Sequence, residues 1–255
     1  MVDNANLPPD QILEALARND GPFPEVALKA ALAQPDALKA GLLEILSQAA
    51  ESADQLPSDA RAHRHAMVLL AAWREPDAFG SLLKFLALPS ELVDHVLGET
   101  LDHLLARSLA STCQGRTGAL KAAVENDGFY DYCRIAALRA LKILMLQGEL
   151  ERRELVSFYR QLISRTPKRI DAFPWDMLVR EINEIHPGEL EADIRNIFAA
   201  GLINPYFLRE EHMEVDLATH PEQRLEAARL KPENRLIEDP LTEISRFAVY
   251  VKQGE

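Results

Sequence analysis

The stretch from Tyr130 to Ile163, YDYCRIAALRALKILMLQGELERRELVSFYRQLI, constrains the fold more than any other part of the chain. It reads as two helices joined by a glycine turn. At about 100° per residue, the charges in the middle of the first helix, Arg134, Arg139 and Lys142, fall in a stripe roughly 140° wide. Nearly all the rest of that cylinder is apolar, so it must be covered on more than one side. The second helix places Leu155, Val156, Phe158, Tyr159, Leu162 and Ile163 on one face, with Arg152, Arg153, Arg160 and Gln161 away from it. A buried helix hairpinned to a half-exposed one is the unit of a helical solenoid, in which neighbouring pairs supply the missing cover. Such an architecture does not fix an activity.

The remaining sequence extends this pattern. Runs of alternating β-branched residues are missing, and a composition that is 47% apolar but only 6% aromatic suits helices packed through Ala and Leu. The expected class is therefore all-α, an irregular helical-hairpin solenoid of the HEAT-like α-α superhelix kind. Pro and capping residues mark the helix starts at Leu56-Pro57-Ser58-Asp59, Leu88-Pro89-Ser90-Glu91, His186-Pro187-Gly188-Glu189 and Asp239-Pro240. Helices are predicted near 10–18, 23–33, 36–51, 59–74, 77–87, 90–111, 116–126, 130–147, 151–164, 173–185, 189–200, 211–218, 221–230 and 240–251. The buried-type helices centre near Ala66, Gly98, Ala136 and Val179, a weak internal period of 32, 38 and 43 residues. The organisation expected is a HEAT-like stack over 1–200 and a helical cap over 201–255, with Gly201–Arg209 as the joint.

The net charge of −12 is unevenly spread. Residues 1–60 hold 10 acidic and 3 basic side chains, 188–255 hold 14 and 8, and the centre holds 16 and 17. An acidic total disfavours nonspecific binding to nucleic acid or anionic membranes, since both rely on attraction to negative charge. Cys113 and Cys133 are too few for a disulfide framework. MVDNANLPPD has no basic or apolar leader pattern, and no apolar run approaches the roughly 20 residues that span a bilayer. A cytoplasmic, thiol-reduced protein is expected.

From about Tyr132 onward the chain resembles a bacterial family known only as domain-of-unknown-function family 1186. The residues that carry the resemblance are CRIAALRALKILMLQGELERRELVSFYRQLI (133–163), FPWDMLVREINEIHPGELEADIRNIFAAGLINPYFL (173–208) and RLIEDPLTEISRFAVY (235–250). The resemblance implies an α-helical, HEAT-like fold and a bacterial source, and brings no activity with it. Some members look to end in a Cys-rich zinc-binding tail. This sequence ends in Gln253-Gly254-Glu255 with no Cys after Cys133, so that metal site is not expected.

Three constellations merit weighing. His95-x3-Glu99-x3-His103 would share one face of the 90–111 helix, and imidazole with carboxylate suits Zn²⁺ or Fe²⁺. His95 and His103 would then be about 12 Å apart along the axis, too far to share one ion without a third element between them. His63 and His65 lie roughly 200° apart on their helix and cannot both face that ion. A nucleic-acid reading rests on the basic run Arg152, Arg153, Arg160, Arg165, Lys168 and Arg169, followed by Phe173 and Trp175. Asp171, Asp176, Glu181 and Glu184 are candidates for paired carboxylate catalysis, although surface helices carry such acids routinely. G-x-S-x-G, H-E-x-x-H and a glycine-rich phosphate loop do not occur. Cys133, at the start of the most buried helix, reads as a core thiol.

The leading expectation is a noncatalytic scaffold or adaptor that presents a concave face to a protein partner, without a cofactor. The helices at 77–87, 116–126, 151–164 and 189–200 would line that face, with Arg152, Arg153, Arg160 and Gln161 as contact residues. The alternatives are a metal-dependent enzyme using the His95/Glu99/His103 face and a nucleic-acid-binding protein using the 152–169 run.

Overall fold

The computed structural model describes residues 7–18, 21–101, 103–247 and 250, with the side chain of Glu99 also outside the description. Fifteen α-helices and no strand occur among the described residues, so the all-α expectation holds. In chain order they are α1 (Pro9–Ala17), α2 (Glu25–Ala33), α3 (Pro35–Glu51), α4 (Ala62–Ala72), α5 (Ala78–Leu86), α6 (Ser90–Leu97), α7 (Leu104–Thr112), α8 (Thr117–Glu125), α9 (Asp131–Leu146), α10 (Arg152–Arg165), α11 (Trp175–Glu184), α12 (Glu191–Ala199), α13 (Glu210–Ala218), α14 (Pro221–Leu230) and α15 (Pro240–Ser245). Their contacts divide the chain into two units. One runs to Gln114 and resumes at Leu236; the other is Gly115–Arg235. The segment expected as a single cap, 201–255, contributes to both.

In the first unit α4 is the central rod. It packs on α3, α5 and α7, and α15 lies across it and α2. His65 at 0% exposure donates Nδ1–H to Leu16 O at 2.8 Å and accepts from the Tyr250 hydroxyl at 2.9 Å, while Phe247 stacks on the same imidazole. A buried polar ring is tolerated here because both its nitrogens are satisfied.

In the second unit the rod is α9, contacted by α8, α10, α11, α14 and the turn Pro232–Asn234. Every residue from Cys133 to Leu146 is buried except Arg139. The two-sided cover required by the sequence is thus present, and it extends over the charged stripe as well. Asp131 in the first turn suits the positive end of the helix dipole. At the other end Gly148, at φ 79°, closes a Schellman motif in which Glu149 N–H reaches Leu144 O at 2.8 Å and Gly148 N–H reaches Met145 O at 3.1 Å. This chirality reversal sends the chain back as α10.

One predicted helix is corrected. The 90–111 run is broken at Gly98, whose φ of 48° and ψ of −128° lie outside the range of ordinary L-residues. A 3-10 turn, Gly98–Leu101, separates α6 from α7. The break is stabilised from α4: His63 donates Nε2–H to Val96 O at 2.7 Å, and Arg64 Nε donates to the same carbonyl at 3.0 Å. Those donors satisfy a carbonyl that an unbroken helix would have used internally.

Candidate functional site

The break at Gly98 removes the common face on which the metal reading relied. His95 sits in the last turn of α6 and donates Nε2–H to Leu56 O at 2.8 Å. Glu99 falls in the 3-10 turn, with its side chain outside the described residues, and His103 is the N-cap residue of α7. Among the described residues no cluster of three or more His, Cys, Asp or Glu has metal-binding geometry. Burial depresses the pKa of both His63 and His65 to about 4, so both are neutral structural donors at physiological pH. Cys113 and Cys133 are both buried.

The carboxylates that looked like routine surface acids are not all at the surface. Glu181 is buried against the charged stripe of α9, with Oε1 accepting from Arg139 Nε at 2.9 Å and Oε2 at 2.5 Å from Lys142 Nζ. Glu184 takes Lys142 on one oxygen and Lys231 on the other. Burial opposes charge on all these groups, but mutual attraction wins. It holds Lys142 above its ordinary pKa, lowers Glu181, and lowers Glu184 to about 2. A general acid or base works best with a pKa near the operating pH. Glu181 and Glu184 stay ionised there, which suits a structural clamp between α9 and α11 rather than proton transfer. Among the described residues the buried Tyr159 hydroxyl has no hydrogen-bond partner, and its pKa is pushed well up by burial and by the two glutamates. Of the other two candidates, Asp171 pairs with Arg169 and Asp176 accepts from Asn204 N–H at 2.8 Å.

The exposed face of α10 is also more committed than its sequence suggests. Arg152 pairs with Glu189 and donates to Ile185 O and His186 O. Arg160 donates to Glu189 O and lies 3.5 Å from Asp193 on α12, while Gln161 donates to Glu125 on α8 at 3.0 Å. Lys121 on α8 reaches Glu154 at 2.6 Å. Among the described residues Arg153, unlike the other three expected contact residues, has no such tie, and it lines a shallow depression with Lys121, Glu151 and Phe158. In the rest of the basic run, Lys168 donates to Ile163 O at 2.6 Å beneath the Trp175 ring, and Arg165 and Arg169 face Glu125 and Asp171.

A concavity of ≈ 750 Å³ within the second unit opens between the loop after α8 and the loop after α10. Its inner wall is Arg134, which is 4% exposed. Arg134 donates to Val124 O at 3.0 Å, to Asp131 at 3.2 Å and to Ala172 O at 3.4 Å, and its guanidinium lies 4.3 Å from the Phe173 ring centroid. One side chain thereby fixes both loops. Arg165, Arg169 and Asp171 line the cleft. Next to these lining residues in sequence, Ile170 stands 68% exposed, and Tyr132 in the first turn of α9 is 48% exposed. The sequence hinted at this cleft only through the polar loops 126–131 and 165–172; nothing in it placed them together.

Comparison with known proteins points to one family. The family described as "Protein of unknown function (DUF1186)" matches residues 8–251. An uncharacterized protein of Chlamydia trachomatis serovar D is 29% identical over 205 residues, covering 80% of this chain and 81% of the relative. An uncharacterized protein of Chlamydia muridarum is 29% identical over the same length, covering 80% and 82%. No solved structure matches.

Proposed function

We propose, from the premise that this chain belongs to the DUF1186 family of proteins of unknown function, that it is a noncatalytic HEAT-like helical-repeat scaffold. Its partner is a protein received on the α8–α10–α12 face and the adjoining loop cleft. The observation that carries this reading is the ladder of side-chain links inside the second unit. On one side α8, α10 and α12 are joined by Lys121–Glu154, Gln161–Glu125 and Arg160–Asp193, all between residues 33–36 apart. On the other side α9 and α11 are joined by Arg139–Glu181 and Lys142–Glu184, each 42 apart. Links at a nearly constant offset in two parallel rows are what stacked hairpins produce. In this reading Arg152, Arg160 and Gln161 set the rows in register, and Arg153 is the contact residue left available to a partner. Tyr132 and Ile170 add apolar surface beside the cleft, and large apolar side chains exposed next to a concavity favour protein docking. The two buried thiols support a cytoplasmic setting.

The test is site-specific photocrosslinking in the native host, with a crosslinking phenylalanine analogue at 153, at 170 and, as control, at exposed position 44 in the other unit. One discrete protein adduct from 153 or 170, absent from 44, is the expected result. Identical adduct patterns at all three positions, or none from folded protein, overturns the reading.

A further inference from the structure

The stretch from Leu236 to Tyr250 belongs by its contacts to the first unit, although the whole of Gly115–Arg235 separates it in sequence from Gln114. It is remote from the partner surface proposed above, which lies in the other unit. The stretch carries its own helix-start signals. Pro240 is the first residue of α15, and the Asp239 carboxylate accepts from Thr242 N–H at 3.1 Å and from the Thr242 hydroxyl. Ser245 Oγ donates to Thr242 O at 2.9 Å. The helical turn is thus specified inside the segment. Its two faces differ: Ile237, Pro240, Ile244, Phe247 and Tyr250 are buried, while Glu238, Asp239, Thr242, Ser245 and Arg246 are exposed.

The buried face lies in a groove formed by α2, α4 and α7. Phe23, just before α2, meets the Tyr250 ring edge-on at 5.5 Å, and the Arg61 guanidinium lies 5.4 Å from the same ring centroid. His65 on α4 accepts from the Tyr250 hydroxyl at 2.9 Å and stacks with Phe247. From α7, Arg107 Nη2 lies 2.7 Å from Glu243 Oε1 and donates to Leu236 O at 3.4 Å, and Ser111 Oγ accepts from Ile237 N–H at 3.4 Å. The Arg107 and Glu243 side chains are only 7% and 13% exposed in this pair. Apolar anchors on one face of a short helix, set beside a desolvated charge pair, are the means by which a groove recognises an amphipathic segment. An ion pair this buried leaves a costly orphan when one member is lost, so the groove discriminates in favour of an acid at that place.

We propose that the segment from Leu236 to Tyr250 is an exchangeable clasp, and that the same groove accepts it from a second copy of the chain. The second copy supplies each of these contacts without any new surface, and reciprocal exchange closes with two-fold symmetry. Within one chain the tethered clasp competes at high effective concentration. Exchange therefore grows with protein concentration and with any change that weakens the clasp in its own chain.

A charge-reversal mixture tests this on the full chain. Glu243→Arg sets two cations against each other, and Arg107→Glu sets two carboxylates against each other, so each variant alone should melt below wild type. Mixed in equal amounts, they should form a heterodimer in analytical ultracentrifugation, because exchange gives each groove a clasp of opposite charge. The melting temperature of the mixture should then recover toward wild type. The Arg107→Glu/Glu243→Arg double variant restores the attraction within one chain and serves as the folding control. A second measurement stands even if a charge-reversed chain does not fold. A labelled peptide of residues 236–255 should bind the Glu243→Gln chain saturably, at least about tenfold tighter than it binds wild type, whose own clasp competes more strongly. Folded variants whose mixture stays monomeric, or a peptide that binds the Glu243→Gln chain no better than wild type, overturns the proposal.

Discussion

The two buried rods, α4 in the first unit and α9 in the second, solve the same problem by different means. Each must carry polar side chains through an apolar interior. On α4 those side chains are neutral imidazoles that donate to the backbone carbonyls Leu16 O and Val96 O. On α9 they are full charges, Arg139 and Lys142, matched by Glu181 and Glu184. A neutral donor costs little to bury once bonded, but it becomes a liability when protonated. An ion pair resists protonation, yet leaves an expensive orphan if one member is removed. The two units should therefore fail under different insults.

The largest expected effect tests the α9 packing itself. Leu141 has 0% exposure, and Leu141→Asp buries a carboxylate with no designed partner. A loss of about 4 kcal/mol or more, enough to unfold the Gly115–Arg235 unit, is expected in denaturant titration. Wild-type-like melting would mean that the covered face has been misassigned. Lys142→Met comes next. It strips Glu181 and Glu184 of their shared cation and should cost about 3 kcal/mol. A Lys142→Met/Glu181→Met double variant should recover part of that loss, and failure to do so would show that the pair is not coupled.

Acid separates the units directly. The folded pKa of His63 and His65 is about 4 against an ordinary 6.5. The unfolded state therefore binds more protons between those values. Stability is full above pH 6.5 and falls as pH drops toward 4, by about 2–3 kcal/mol per histidine near pH 4.5. Glu184, lowered to about 2 from 4.5, stabilises above pH 4.5 and loses that contribution only as pH falls from there toward 2. Hydrogen exchange followed from pH 7 to 4.5, corrected for intrinsic rates, should show α4 losing protection before α9. Simultaneous loss would erase the distinction.

Smaller effects sharpen it. A Cβ on Gly98 would stand 3.3 Å from an Arg64 guanidinium nitrogen, in a backbone conformation strained for alanine. Gly98→Ala should cost about 1–2 kcal/mol by thermal denaturation. Arg153→Ala should change stability by less than about 0.5 kcal/mol, while Arg152→Ala, which loses a half-exposed ion pair, costs about 1 kcal/mol. Reversal of that order would mean that the α10 ladder does not hold its neighbours.

Much of the fold was legible in the residues. The Pro89-Ser90 and Asp239-Pro240 starts, the glycine stop at Gly148, and the nearly all-apolar surface of 133–146 are local signals, and local geometry answers to them, whereas after Pro57-Ser58 the helix begins only at Ala62. The site-level readings fared differently. Gly98 inside an otherwise helical run is compatible with a continuous helix, and only the donors of His63 and Arg64, more than 30 residues earlier, tip it into a break. Glu181 carries no local mark that distinguishes it from a solvated acid. Its role depends on Arg139 and Lys142 facing it across a helix–helix contact, a fact of three-dimensional neighbourhood.

The sequence alone determined which segments are helices, where they turn, and that α9 has to be enclosed, because periodicity and capping act within a few residues. Only the tertiary structure decided which charged faces are clamps and which are free surface. Electrostatic partners such as Lys142 and Glu181, or Gln161 and Glu125, are chosen by packing and not by spacing along the chain. A side chain's charge is written in the sequence; whether that charge is spent inside the fold or left for a partner is not.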